Sequence, residues 1–80
     1  MLFTLTIVTP ISKRTVVISW LELATDQGSL VIQKGHRPLI AALKSPSEIQ
    51  FEIEGGLFEV MGIAGGIAEI GRTAVTIVVG

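Results

Sequence analysis

Hydrophobic and polar positions alternate along most of this chain with a period of two. The clearest case is Glu48–Glu54, where Ile49, Phe51 and Ile53 stand against Glu48, Gln50, Glu52 and Glu54. That pattern predicts a strand with one face in a core and the other in water. Met1–Thr9 alternates more weakly, with Leu5 and Ile7 opposite Thr4 and Thr6. Thr15–Thr25 predicts a long strand, with Val17, Ser19, Leu21 and Leu23 on one face and Val16, Ile18, Trp20 and Glu22 on the other. Shorter apolar runs follow at Leu30–Ile32, Leu39–Leu43, Leu57–Met61, Ile67–Ile70 and Ala74–Val79.

Turn residues separate these runs. Pro10–Arg14, Asp26-Gln27-Gly28, Lys34–Pro38, Lys44–Ser47 and Gly71-Arg72 all carry turn chemistry. Gly55-Gly56 predicts a two-residue hairpin, because both central positions of a type I′ turn need positive φ. No stretch shows a capped period of 3.6. Leu39–Lys44 is too short for a helix and follows Pro38, so it reads as a strand. The expectation is an all-β fold: a flattened β-sandwich or barrel of about eight to ten short strands, one domain over residues 1–80.

Composition sharpens this picture. Eighty residues, 49% of them hydrophobic with nine glycines besides, exceed what so small an interior can hide. Some apolar surface should therefore face a partner. Charged residues make up 16%, against about 25% in ordinary domains. The net charge is −1 and the basic residues are scattered, which argues against nucleic acid. There is no cysteine, so disulfides and thiolate metal sites are excluded. Lys13, Arg14, Glu22, Asp26 and Lys34 interrupt any run long enough for a spanning helix, and no basic residues precede the first apolar run as in a signal peptide.

Candidate chemistry is sparse. His36 is the only histidine, and with Asp26 or Glu22 it supplies two members of a nucleophilic triad. The plainer reading is a loop histidine bonded to backbone. Gly62–Gly66 looks like a phosphate loop, but Ile67–Ile70 alternates like a strand instead of opening a helix. A bulge or close backbone approach at Gly65-Gly66 explains those glycines better. Trp20 is a core filler or an interface anchor. Glu48, Glu52 and Glu54 read as a solvated face. No cofactor, metal or small-molecule substrate is expected.

Three stretches together resemble one family. They are "LTIVTP" (residues 5–10), "GSLVIQKGHRPL" (28–39) and "AGGIAEI" (64–70) followed by "TAVTIV" (73–78). The resemblance is to the N-terminal domain of the epsilon subunit of rotary F-type ATP synthases, called delta in mitochondria. That family typically reads Gly-Glu-Leu-Gly-Ile-Leu-Pro-Gly-His-Ala-Pro-Leu, then Ser-Gly-Gly-Phe-Val-Glu-Val. Gly28, Leu30, Ile32, Gly35, His36, Pro38 and Leu39 fall on the pattern without a gap, as do Gly65, Gly66 and Glu69. The chain departs from it at Ser29 (usually Glu), Val31 (usually Gly) and Gln33-Lys34. The usual Phe-Ser-Gly-Glu-Val entry to the second strand is missing, and Arg14–Leu21 fills that region.

The resemblance implies a non-catalytic rotor subunit, peripheral on the cytoplasmic, matrix or stromal face of an energy-transducing membrane. Its partners would be the gamma subunit and the c ring, which it links as proton or sodium-ion flow is coupled to ATP synthesis. It implies that Asp26, Gln27, Gly28 and Ser29 meet the c ring, and that Thr9, His36 and Ala41 lie toward gamma. Gly35, Pro38, Gly65 and Gly66 would shape loops. Relatives commonly continue into a C-terminal helical hairpin; this sequence ends at Gly80, so no inhibitory arm and no nucleotide site are expected from it. Two rival readings are a free-standing β-sandwich interaction or ligand-binding module, and a small enzyme using His36.

Overall fold

The computed structural model describes all 80 residues and is built entirely of strands. They are β1 (Phe3–Val8), β2 (Lys13–Thr25), β3 (Gly28–Ile32), β4 (Leu39–Leu43), β5 (Ser47–Ile53), β6 (Leu57–Ile63), β7 (Gly66–Ile70) and β8 (Ala74–Val79). They hydrogen-bond in the order β4-β7-β8-β1-β2-β5-β6, with β3 paired to β2 off that path. All pairs are antiparallel except β1 with β8.

The long strand β2 folds this sheet onto itself. Its first half, Lys13–Ile18, pairs with β1, and its second half, Leu21–Thr25, pairs with β3. One layer is therefore β4-β7-β8-β1 with the start of β2. The other is the end of β2 with β3, β5 and β6. Lys44 N–H donates to the Ala24 carbonyl at 2.9 Å, tying the end of β4 to the end of β2. The result is a flattened sandwich of 29 × 26 × 17 Å.

Fifteen buried hydrophobic residues, drawn from all eight strands, form the core between the layers. Phe51, Leu5, Ile18, Leu21 and Ile49 are fully buried, and each such side chain contributes about 1.5–3 kcal/mol. No polar or charged residue is buried there.

Two expectations need correction. The first is the phase of β2. Val16 and Ile18 point inward together with Leu21 and Leu23, not opposite them. A β-bulge lies between Ile18, opposite Ile53, and Trp20, opposite Glu52. Ser19 is the extra residue, and inserting one residue turns every later side chain to the other face. Its hydroxyl donates to Glu52 Oε1 at 2.5 Å.

The second is the β5–β6 hairpin. Ile53 pairs with Leu57, so the loop has three residues, not two. Glu54 N–H is already committed to the Val17 carbonyl of β2 at 2.9 Å. The turn closes one residue earlier, by Gly56 N–H donating to Ile53 C=O at 3.0 Å. Gly55 and Gly56 do take positive φ, 99° and 89°.

The glycine pair ahead of β7 is a close approach. Gly66 pairs with both Leu43 of β4 and Val79 of β8. A Cβ at Gly66 would fall onto the Val78 carbonyl oxygen, and its φ of 147° disfavours L side chains as well. A Cβ at Gly65 would meet the Ser45 side chain at 2.9 Å. At both positions an added Cβ would meet a neighbour closer than side chains tolerate.

Candidate partner-binding site

The β2–β3 tip is a local structure. Asp26 and Gln27 are exposed and join Thr25 to Gly28, which pair with each other. Thr25 Oγ1 donates to the Gly28 carbonyl at 2.8 Å and accepts Gln27 N–H at 3.2 Å. Asp26 and Gln27 keep negative φ, while Gly28 takes 120°. Ser29 lies within β3, opposite Ala24.

The loop between β3 and β4 is anchored at long range. Gln33 C=O accepts His36 N–H at 3.1 Å, closing a four-residue turn. Gly35 occupies its third position with φ 86°, the demand of a type II turn. Gly35 N–H then donates to Arg72 C=O at 2.7 Å, in the turn between β7 and β8. The Arg72 guanidinium returns a bond from Nη1 to Gly35 C=O at 3.3 Å. His36 is half-buried, and its Nδ1 lies 2.8 Å from the Arg37 carbonyl. A carbonyl only accepts, so Nδ1 carries the proton. No carboxylate hydrogen-bonds this ring, and no group of three or more His, Asp or Glu side chains converges as a metal ligand set.

Thr9 sits at the other end of the same layer. Its hydroxyl accepts the N–H groups of Ile11 and Ser12 at 3.3 and 3.0 Å, and its own N–H donates to Ser12 C=O at 2.8 Å. The β1–β8 and β7–β8 registers place Val8 beside Val78, whereas the His36 loop lies at the Thr4 and Ala74 end. Thr9 and His36 are thus a strand length apart, on the order of 20 Å for six residues at ~3.3 Å each. The structure does not bring those two residues together. It does bring Ala41 to the β2–β3 tip: Thr25–Leu30 and Leu39–Ala42 line one open groove of about 530 Å³.

Both outer faces expose apolar side chains, in different polar surroundings. On the β4-β7-β8-β1 face, Ile40, Ile67 and Val78 are 70%, 55% and 50% exposed, beside the threonines of β1 and β8. On the other, Trp20 packs against Phe58 with ring centroids 5.7 Å apart, among Glu22, Glu48 and Glu52. Between the layers, Arg14 at the start of β2 forms a two-pronged ion pair with Glu59 of β6, at 2.5 and 2.8 Å. The hydrogen bonds from Arg14 hold the Glu59 carboxyl below the usual carboxylate range and raise the Arg14 pKa.

Sequence reasoning missed Arg72 and the Arg14–Glu59 pair. Nothing local marks either, since their partners lie 37 and 45 residues away.

These features define a β-sandwich whose distinctive residues sit on rim loops and exposed sheet faces. Residues 2–80 match the family described as the ATP synthase, Delta/Epsilon chain, beta-sandwich domain. The chain belongs to that family. It is 52% identical over a 44-residue alignment to an ATP synthase epsilon chain of Chlorobium limicola, covering 44% of this chain and 50% of that one. Among solved structures it is similar to a chain of the Euglena gracilis mitochondrial ATP synthase (OSCP/F1/c-ring assembly). The TM-score is 0.90 and the identity 22%, over 98% of this chain and 50% of that one. It is also similar to a chain of the central stalk and c-ring assembly of the Tetrahymena thermophila mitochondrial ATP synthase. There the TM-score is 0.74 and the identity 20%, over 96% of this chain and 62% of that one. These two likenesses concern the fold. The chain spans about half the length of the bacterial and the Euglena chains, 50% of each.

Proposed function

We propose that residues 1–80 act as one β-sandwich domain of a non-catalytic rotor subunit in a proton- or sodium-translocating F-type ATP synthase. It joins the gamma subunit to the c ring, peripheral to the membrane, and carries torque between them. The tip at Asp26–Ser29 meets the polar loops of the c ring. Thr9, His36 and Ala41 lie toward gamma. The observation that carries this reading is the family match across residues 2–80. The uncovered Ile40, Ile67 and Val78 support it, because a partner removes that apolar surface from water. The separation of Thr9 from His36 calls for a gamma contact that runs the length of the β4-β7-β8-β1 layer.

The test is co-purification from detergent-solubilised membranes that carry the synthase. The tagged chain is expected to retain gamma and the c ring in stoichiometric amounts. Recovery of the chain alone, while the rest of the synthase stays intact, would contradict the proposal.

A further inference from the structure

We propose that Arg72 is the positioning residue of the β3–β4 loop: it braces Gly35 and so fixes the His36 ring that faces gamma. This rests on the reading of function above.

The loop from Gln33 to Pro38 leaves one layer and enters the other without a partner strand. Its only long-range hydrogen bonds are those to Arg72. Gly35 N–H donates to the Arg72 carbonyl and Gly35 C=O accepts from the Arg72 guanidinium. Both polar groups of one peptide-chain residue are thereby held by one residue on the opposite turn. That turn is itself firm: Gly71 N–H donates to Ala74 C=O at 2.8 Å, and Ala74 opens β8, which pairs with β1 and β7. The guanidinium bond is charge-assisted, and an arginine keeps its charge at any working pH.

The consequence falls on His36. With Nδ1–H engaged by the Arg37 carbonyl, the neutral ring presents Nε2 as an acceptor. That nitrogen makes no bond within the chain. A braced Gly35 holds this acceptor in one direction, ready for an N–H or O–H donor on the partner. Pro38, Leu39 and Ala74 line a shallow groove of about 500 Å³ that also includes Arg72. Glu69 and Thr76 line the same groove, so the partner element is of mixed polarity and supplies the donor to Nε2.

The experiment uses the whole chain, Arg72→Ala and Arg72→Lys, with two readouts. The first is amide hydrogen exchange by NMR, with Ser29 of the β2–β3 hairpin as internal control. Arg72→Ala is expected to speed exchange at Gly35 and His36 roughly 2- to 10-fold, the worth of one lost hydrogen bond, and to leave Ser29 unchanged. Arg72→Lys, which keeps a cationic donor, recovers part of that protection. The second readout is affinity for purified gamma subunit, expected to fall by a similar factor in Arg72→Ala and to recover partly in Arg72→Lys. Unchanged exchange at Gly35 would overturn the brace. Faster exchange with unchanged gamma affinity would overturn the positioning role. Failure of the unmodified chain to bind gamma at all would overturn the reading of function, and the role with it, while exchange still reported on the brace itself.

Discussion

The two rim loops that carry most of the candidate contacts are built in opposite ways. The β2–β3 tip closes on itself: Thr25, through one hydroxyl, holds both Gly28 and Gln27 within three residues. The β3–β4 loop closes on a distant turn: Gly35 depends on Arg72, 37 residues later. A locally closed tip holds its shape wherever the hairpin goes, but its position follows the hairpin. A cross-braced loop is fixed in the frame of the whole sandwich. Under the proposed function, the loop proposed to meet gamma would be referenced to the opposite turn, and the tip proposed to meet the c ring would keep its shape through its own hydroxyl.

The sharpest way to break this comparison is to remove the frame that both loops share. Gly66→Ala forces a Cβ onto the Val78 carbonyl where β7 meets both neighbours. We expect a loss of roughly 3 kcal/mol or more, with a lower thermal midpoint and faster amide exchange at both loops together. A variant that keeps the parent midpoint would show that β7 tolerates displacement.

Gly35→Val comes next and separates the loops. Nothing lies within 4 Å of the added Cβ, so the cost is backbone strain at φ 86° alone, about 1–3 kcal/mol. Gamma affinity should fall while exchange at the Asp26–Ser29 tip stays as it was. Equal affinity for gamma would remove the β3–β4 loop from the interface.

Thr25→Val is the mirror experiment. It deletes the hydroxyl that organises the tip and costs about 0.5–1.5 kcal/mol per hydrogen bond lost. Faster exchange should appear at Gln27 and stop short of Gly35. Because Ser29 stands where the family usually has an acid, c-ring binding should also change little between low and high salt. A steep salt dependence removed by mutating the tip would contradict that.

The smallest effect is expected at the Arg14–Glu59 pair, remote from both loops. Its side chains are 43% and 31% exposed, so solvent screening limits Glu59→Gln to about 0.2–1 kcal/mol. The sign is set by the lowered Glu59 pKa. The pair's contribution is present above the ordinary carboxylate range and fades as pH falls through the depressed folded-state value. Urea midpoints of parent and variant should therefore differ at pH 7 and draw together as pH falls below the ordinary carboxylate range. A gap that persists in acid would assign the effect to packing.

The same local-versus-distant division decided what the sequence made legible. Strand order along the chain, the outward-facing glutamates of β5 and the turn at Asp26-Gln27 follow from period-two alternation and turn chemistry, both local properties. Loop closure by Arg72 does not, because it depends on the register that sets β4 beside β7. The bulge at Ser19 hid for a related reason. Alternation through Thr15–Thr25 looks continuous, and only the demand that Ile18 and Leu21 both be buried reveals the extra residue. The three-residue β5–β6 loop likewise depends on Val17 of β2 claiming the Glu54 amide. In the candidate site, Gly35 and His36 stood out through the family pattern. The distance between Thr9 and His36, and the nearness of Ala41 to the tip, appeared only once the strands were paired.

The measurement that bears most directly on the central claim is a titration of the chain into a purified gamma–c-ring subcomplex, followed by calorimetry. The account predicts saturation at one chain per subcomplex, with weaker binding for Gly35→Val and for a variant altered at Asp26–Ser29. No detectable heat and a free monomer at every ratio would contradict it.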